Sequence, residues 1–135
     1  MPYLHIQLSL PASAAVASDI GALLTDLTAS ILQKKHELTA VSVEFVDPHY
    51  WFIGGTSLAS QHLCSFYLQI QVTAGTNTKD EKARYVAQVF AGLESLLGPL
   101  APASYVVVQE VPADAWGYQG RTQEYRYVQA LPAGR

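Results

Sequence analysis

The stretch TKDEKARYVAQVFAGLESLLGP, residues 78–99, carries the clearest helix signal in the chain. Thr78 and Glu81 have the spacing of a capping box, in which each side chain accepts a hydrogen bond from the other's backbone N–H. Gly98 and Pro99 together end a helix. The apolar residues in between recur every three or four positions and form one stripe: Val86, Val89, Phe90, Leu93, Leu96 and Leu97. The sequence therefore predicts an amphipathic helix bounded by residues 78 and 98.

Strand patterns lie on both sides of this helix. Before it, Leu68, Ile70 and Val72 alternate with polar residues, which is the period of two that a half-buried strand requires. After it, a β-branched run extends from Ser104 to Val111. Because the two runs are too far apart in the chain to form a hairpin, the natural connection is a parallel β-α-β crossover.

The same pattern occurs earlier in the chain, at a constant offset along the sequence. An alternating strand over 4–8 precedes a periodic helix that follows Ser13 and should end near Lys34, and a second β-branched run covers 39–46. The landmarks that keep the offset are Ser13 and Thr78, Trp51 and Trp116, Gly55 and Gly120, and Val41-Ser42-Val43 and Val106-Val107-Val108. We predict a single domain over 1–135, with repeat units at 2–60 and 66–121 and a loose or partner-dependent tail over 122–135.

Two tandem β-α-β units predict an α+β fold, with a four-stranded mixed sheet and two helices on one face. Val106, Val107 and Val108 run on without a polar break, so their strand should place apolar side chains on both faces. We therefore expect an apolar open face that self-associates. A ferredoxin-like ligand-binding domain is an alternative arrangement of two β-α-β units, and strand order distinguishes the two.

Composition narrows the class of protein. The 135 residues are 50% hydrophobic with a net charge of -3, which fits one compact domain and disfavours binding to nucleic acid or an anionic membrane. The single cysteine excludes intramolecular disulfides and Cys-pair metal motifs. The four histidines have no metal-ligand spacing. We see no signal-peptide pattern and no apolar run near the roughly 20 residues of a membrane span, and expect a cytoplasmic protein without metal or cofactor.

Several features together resemble the tautomerase superfamily. The chain begins Met1-Pro2, residues 110–120 read EVPADAWGYQG like the end of a 4-oxalocrotonate tautomerase unit, and residues 51–55, WFIGG, are a second copy. The resemblance covers roughly residues 2–120. A chain of two fused units is similar to macrophage migration inhibitory factor (MIF) and the fused bacterial tautomerases. This implies a MIF-like fold, a homotrimer and keto-enol tautomerisation without a cofactor.

The resemblance also implies a catalytic residue and a cationic binding group. Once Met1 is removed, Pro2 would be the general base, a secondary amine that an apolar pocket and nearby cations keep unprotonated. Lys34, followed by Lys35, aligns with the lysine of the MIF type. These lysines would hold the carboxylate of a 2-oxo acid or enol such as phenylenolpyruvate.

Two aromatic residues complete the implied site, and several positions depart from the family pattern. Tyr105 would be supplied by a neighbouring subunit, and Trp116 would wall the pocket. The family's arginines fall on Ala12 and Asn77, which disfavours a dicarboxylate substrate, and a pocket asparagine is replaced by Val107. The residues that could supply the missing cation, or could simply be exposed in the tail, are Arg121 and Arg126.

Two other functions stay open on the same scaffold. One is a non-catalytic binding or signalling oligomer that keeps the fold without the chemistry. The other is a hydratase or decarboxylase of the same superfamily, which would need an arginine pair in the second unit.

Overall fold

The computed structural model describes residues 2–132, and these form two consecutive β-α-β units. Ser13 caps the first long helix by accepting a hydrogen bond from the Val16 N–H, and Gln33 ends it in the left-handed region, with φ 57°. The helix thus ends just before Lys34, as expected. The elements of the first unit are β1 (Tyr3–Leu8), α1 (Ala14–Leu32), β2 (Ala40–Phe45), β3 (Phe52–Ile53), β4 (Thr56–Ser57) and α2 (Leu58–Gln61).

The second unit repeats this order. Its long helix has the predicted capping box, in which the Thr78 and Glu81 side chains each accept from the other's backbone N–H, and it ends before Gly98. Its elements are β5 (Phe66–Thr73), α3 (Lys79–Leu97), β6 (Tyr105–Val111), β7 (Gly117–Tyr118), β8 (Arg121–Thr122) and α4 (Gln123–Ala130). The sequence therefore located both helices and all four long strands to within a few residues.

The four long strands form one mixed sheet in the order β2-β1-β5-β6. Each unit pairs its own two strands in parallel, and β1 runs antiparallel to β5 with Leu4 opposite Ile70. In a ferredoxin-like sheet the β-α-β unit is split, so that another strand separates its two strands. The observed order excludes that alternative and confirms the predicted α+β fold.

The core lies between the sheet and the two long helices. Every second residue of β1 and β5 points toward the helices and is fully buried, as alternation requires. The helices meet at Thr28 and Tyr85, whose hydroxyl groups are hydrogen-bonded at 2.8 Å inside the core. The largest fully buried side chains include Leu4, Ile6, Leu8, Ile20, Leu24, Leu32, Phe66, Leu68, Ile70, Tyr85 and Leu93.

Tyr85 makes stability sensitive to alkaline pH. Burial raises the pKa of its phenol to about 12, and the Thr28 hydrogen bond opposes this only in part. The unfolded chain ionises first, from about pH 10, so stability is fully present below that pH and falls by about 3 kcal/mol toward pH 12. We expect Tyr85→Phe to cost about 1–2 kcal/mol at neutral pH and to remove this slope. Urea unfolding between pH 8 and 11.5 measures both, with Tyr127→Phe at an exposed site as the control.

The open face of the sheet differs from the expectation. It is mainly polar: His5 and Gln7 hydrogen-bond to Glu44, and Gln69 and Gln71 donate to Gln109. The prediction of an apolar face was wrong because Val106 and Val108 pack against the core side, leaving one valine of the run on the open face. Besides Val107, the exposed apolar side chains of this face are aromatic and lie at the strand ends, at Tyr3, Tyr67 and Tyr105.

Helix α1 differs from the expectation that no apolar run approaches the length of a membrane span. Its 19 residues have a mean hydropathy of 1.4, which by length and composition alone is sufficient for a membrane span. One such helix is weak evidence, because the core helix of a globular domain passes the same test. The α1 residues buried in this core are Ile20, Leu24, Thr28, Ile31 and Leu32.

The C-terminal segment is not a loose tail in the part that is described. Thr122 caps α4 by accepting from the Tyr125 N–H, and the helix runs to Ala130. The periodic signal was missed because this helix has no buried residue and alternates tyrosine with polar side chains. The end of the predicted tail, residues 133–135, lies outside the described residues, as does Met1.

Candidate functional site

Pro2 lies at the start of β1 and is buried. Its carbonyl oxygen accepts a hydrogen bond from the Ala40 N–H at 3.4 Å, which ties it to β2. On the other side Tyr3 is opposite Gln71, so continuing the antiparallel register by one residue places Pro2 opposite Val72. Pro2 is therefore held between the beginning of β2 and the end of β5.

A cavity of about 590 Å³ opens beside this end of the sheet. Its wall includes Leu38, which is two residues before Ala40, and Thr73, which follows Val72. Pro2 does not line the cavity itself, but the segments on both sides of it do. Lys34 and Lys35 also line the cavity, so the structure brings the predicted lysines to the same end of the sheet as the predicted base.

The two lysines have different environments. Lys34 is half-buried, and its Nζ donates to Thr76 Oγ1 at 2.8 Å. Burial lowers the pKa of the Lys34 ammonium, while the negative charge of Glu81 acts in the opposite direction. Lys35 is exposed at the rim. A partly desolvated ammonium interacts with an anion more strongly than a fully hydrated one, so Lys34 is the better placed of the two to bind a carboxylate.

Helix α4 forms the opposite wall of the cavity and brings a third cation, Arg126. Its Nη2 donates to the Tyr118 carbonyl oxygen at 2.9 Å, and its guanidinium lies 3.8 Å above the centre of the Tyr118 ring. Arg126 Nε and Gln123 Nε2 are buried and have no hydrogen-bond partner within residues 2–132. No aspartate or glutamate of the described chain lines the cavity. The described part of the wall thus offers hydrogen-bond donors and positive charge, while Glu81, the carboxylate that acts on Lys34, lies outside it.

The two aromatic residues of the predicted site lie elsewhere. Trp116 donates from Nε1 to Thr73 Oγ1 at 3.2 Å, so it contacts the cavity wall from outside and lines a neighbouring depression. Tyr105 lies beside Tyr67, which is opposite Gln7, five residues along β1 from Pro2. That separation is about 17 Å along the strand. A single chain therefore does not bring Tyr105 to Pro2.

Tyr105 belongs to a second cavity, of about 430 Å³, next to the first hairpin. Its wall includes Trp51 and Tyr67, the counterparts of Trp116 and of the Pro2 region in the other unit. Because its nitrogen is a backbone amide, Tyr67 supplies no base there. The duplicated fold therefore has two similar cavities, each beside the end of a strand and a hairpin. We call the one next to Pro2 the Pro2 corner, and of the two it alone is lined by the lysines and Arg126.

Sequence reasoning left Arg126 undecided and did not identify Gln123 or Tyr118. A usable signal was present in the repeat, because Arg126 and Tyr118 occupy the positions that Gln61 and Ile53 have in the first unit. Asn77, where the family's second arginine would fall, has a structural role, since its Nδ2 donates to the Leu32 carbonyl oxygen and joins α3 to α1. Residues 2–132 contain no group of three or more His, Cys, Asp or Glu side chains that could hold a metal ion.

Comparison with solved structures finds close similarity of fold at low sequence identity. A native fused 4-OT superposes with a TM-score of 0.80 at 22% identity, covering 91% of this chain and 97% of that one. A fused 4-OT that forms an asymmetric trimer gives a TM-score of 0.80 at 18% identity, covering 92% and 98%. A MIF homologue from Prochlorococcus marinus gives 0.72 at 25% identity, covering 89% and 97%. No protein-family model and no curated protein matches the chain.

These similarities cover about nine-tenths of the chain and therefore extend over both β-α-β units. The chain therefore has the fold of the tautomerase superfamily, in the fused two-unit form of fused 4-OT and the MIF homologues.

Proposed function

We propose that the protein is a tautomerase that converts an enol such as phenylenolpyruvate to its 2-oxo acid, with Pro2 as the general base. With Met1 removed, the Pro2 nitrogen is a secondary amine at the buried end of β1. Burial and nearby positive charge both disfavour its protonated form. It removes the enol proton and returns a proton to carbon, so the reaction needs no cofactor.

The observation that carries this proposal is the position of the lysines. Pro2 lies between Ala40 and Val72, and the cavity at the same end of the sheet carries Lys34 and Lys35 without a competing carboxylate in the described part of its wall. A 2-oxo acid has a carboxylate adjacent to the reacting carbonyl. Lys34 binds that carboxylate and stabilises the negative charge that develops on the enolate oxygen.

A homotrimer would complete the site. The fused 4-OT structures are trimers, and the exposed tyrosines of this chain lie at the strand ends of the open sheet face. Tyr105, which is 58% exposed in the single chain, is free to extend toward the Pro2 corner of a neighbouring subunit. The trimer also accounts for an open face that is polar in the middle and aromatic at its edges.

The test is the ketonisation of phenylenolpyruvate by protein whose intact mass corresponds to a chain beginning at Pro2. We expect a rate well above the buffer-catalysed rate, increasing with the fraction of chains that lack Met1. A Met1-free preparation that does not accelerate the reaction contradicts the proposal.

Lys34→Gln provides a separate prediction about the substrate carboxylate. A charged hydrogen bond contributes about 1.5–3 kcal/mol, so we expect KM for phenylenolpyruvate to rise by at least about tenfold. The kcat value should fall as well, because Lys34 also stabilises the enolate charge that develops only in the transition state. Steady-state kinetics measure the two effects. Lys79→Gln, at the exposed first residue of α3, is the matched control and should leave both parameters unchanged.

A non-catalytic oligomer of the same fold is the second candidate, favoured by Asn77 and Val107 at positions where the family has polar or charged site residues. Asn77 is engaged in joining the two helices and offers no positive charge. If the native protein retains Met1, this candidate replaces the enzyme, because an acylated Pro2 nitrogen cannot accept a proton. A hydratase or decarboxylase needs the missing arginine pair and is therefore less favoured.

A further inference from the structure

The two hairpins of the chain, β3-β4 and β7-β8, are held by equivalent hydrogen bonds. In the first, the Leu58 N–H donates to the Trp51 carbonyl at 2.9 Å, and at the equivalent place in the second, the Gln123 N–H donates to the Trp116 carbonyl at 2.9 Å. Side chains then hold each hairpin from the following helix. Gln61 Nε2 donates to the Ile53 carbonyl at 3.1 Å, and Arg126 Nη2 donates to the Tyr118 carbonyl at 2.9 Å.

Gln61 and Arg126 are equivalent in the repeat. Comparing them shows which property of Arg126 is needed to hold the hairpin and which is additional. A neutral amide is sufficient to hold the first hairpin, where Gln61 donates to both Ile53 and Thr56. The second hairpin therefore does not require a positive charge for this hydrogen bond. Arg126 brings that charge and additional N–H donors, and its buried Nε has no partner in the described chain.

The neighbouring difference between the repeats fits the guanidinium group. Where the first unit has Ile53, the second has Tyr118, whose ring lies 3.8 Å below the guanidinium of Arg126. Stacking on an aromatic face fixes the plane of an arginine and leaves its edge available for a planar anion such as a carboxylate. The second unit therefore has Arg126 and Tyr118 where the first has Gln61 and Ile53. Where the first unit has a neutral hydrogen-bond donor, the second has a cation held in a fixed orientation.

Positive charge is concentrated at this position. Arg126, Tyr118 and Lys35 line both the cavity of about 590 Å³ and an adjoining one of about 630 Å³. Of the eight Lys and Arg residues in a chain of net charge -3, four line these two cavities, namely Lys34, Lys35, Arg121 and Arg126. Neither cavity has an aspartate or glutamate among the described residues that line it. An anion is the ligand that this distribution favours.

We propose that Arg126, oriented by Tyr118, is a second cation for the same carboxylate of a small organic acid that Lys34 binds, and that it determines the selectivity of the site for acids over neutral analogues. That this acid is the substrate rests on the proposed function. Helix α4 is then a functional element of the second unit. Its equivalent in the first unit is α2, which has only four residues and carries no cation.

The test uses 3-phenylpropanoate, an unreactive carboxylate, and 3-phenylpropanamide, its neutral analogue, as calorimetric probes. Arg126→Gln restores the residue that holds the first hairpin, and Arg84→Gln is the matched control on α3, away from both cavities. We expect Arg126→Gln to weaken binding of the acid at least tenfold, while Arg84→Gln leaves it unchanged. The amide should bind weakly and equally to all three proteins.

Several results would overturn the inference. These are no saturable binding of the acid to the wild type at millimolar concentration, equal affinity of wild type and Arg126→Gln, or loss of folded structure in Arg126→Gln by circular dichroism, which would make Arg126 a structural residue. Pro2→Ala separates this inference from the proposed function. If no protein catalyses ketonisation and only Arg126→Gln binds 3-phenylpropanoate more weakly, the anion site is supported and the tautomerase proposal is wrong. If the wild type catalyses ketonisation, Pro2→Ala does so more slowly, and Arg126→Gln binds the acid as the wild type does, the anion site alone is wrong.

Discussion

Insertion of one lysine between Met1 and Pro2 will reduce kcat/KM for phenylenolpyruvate by about 10²–10⁴-fold, the range that general acid–base catalysis contributes. Methionine aminopeptidases act before small residues, so the inserted lysine keeps the initiator methionine in place. The Pro2 nitrogen then becomes a tertiary amide, which has no basic lone pair. The insertion substitutes no residue of the cavity wall, Lys34 included.

Pro2→Ala is the informative companion of this variant. Met1 is still removed before alanine, so an amine remains at the end of β1, but it lacks the ring that fixes the direction of the lone pair. We expect a loss of activity that is clearly measurable and smaller than that of the inserted chain. If the inserted chain retains the wild-type rate at an intact mass that includes Met1, Pro2 is not the base.

The architecture could be predicted because the same β-α-β pattern occurs twice in the sequence. Thr78, Glu81 and Gly98 define one helix by local hydrogen bonding alone, and such signals do not depend on tertiary contacts. The constant offset between the repeats then transferred the assignment to the first unit, where Ser13 is a weaker cap signal. The crossover connections predicted the two parallel strand pairs, and the observed strand order then distinguished this fold from the ferredoxin-like alternative.

The open face could not be predicted in the same way. A run such as Val106-Val107-Val108 places side chains on both faces of any strand, but the composition of a face depends on all four strands together. All four strands contribute glutamine, histidine or glutamate to this face, notably His5, Glu44, Gln69 and Gln109. An apolar run on one edge strand therefore did not represent the sheet.

The site was predictable as far as sequence position determines spatial position. Lys34 was assigned because it aligns with the lysine of the MIF type, and the structure places it beside the cavity at the Pro2 end of the sheet. Arg126 was left undecided because its location depends on the position of α4, a helix without a clear periodic signal that brings it to the same cavities as Lys35. Tyr105 was assigned to a neighbouring subunit, which a single chain does not test.

Phe66→Ala will reduce the free energy of unfolding by about 3–5 kcal/mol, the usual cost of removing a buried phenylalanine ring from a core. Phe66 begins β5, is fully buried, and packs with its ring centre 6.3 Å from that of Phe90 on α3. Domains of this size are stable by about 5–15 kcal/mol, so the change removes a large share of the total. Urea unfolding at several protein concentrations measures it and separates subunit dissociation from unfolding.

The control is the same substitution at Phe52, whose side chain is 59% exposed on β3. Exposed substitutions usually change stability by no more than about 0.5 kcal/mol, so Phe52→Ala should unfold like the wild type at low protein concentration. If Phe66→Ala costs less than Phe52→Ala, the packing of β5 against α3 described above is incorrect. A concentration-dependent loss in Phe52→Ala alone would instead place the first hairpin in the contact between subunits, because only an interface residue couples its effect to association.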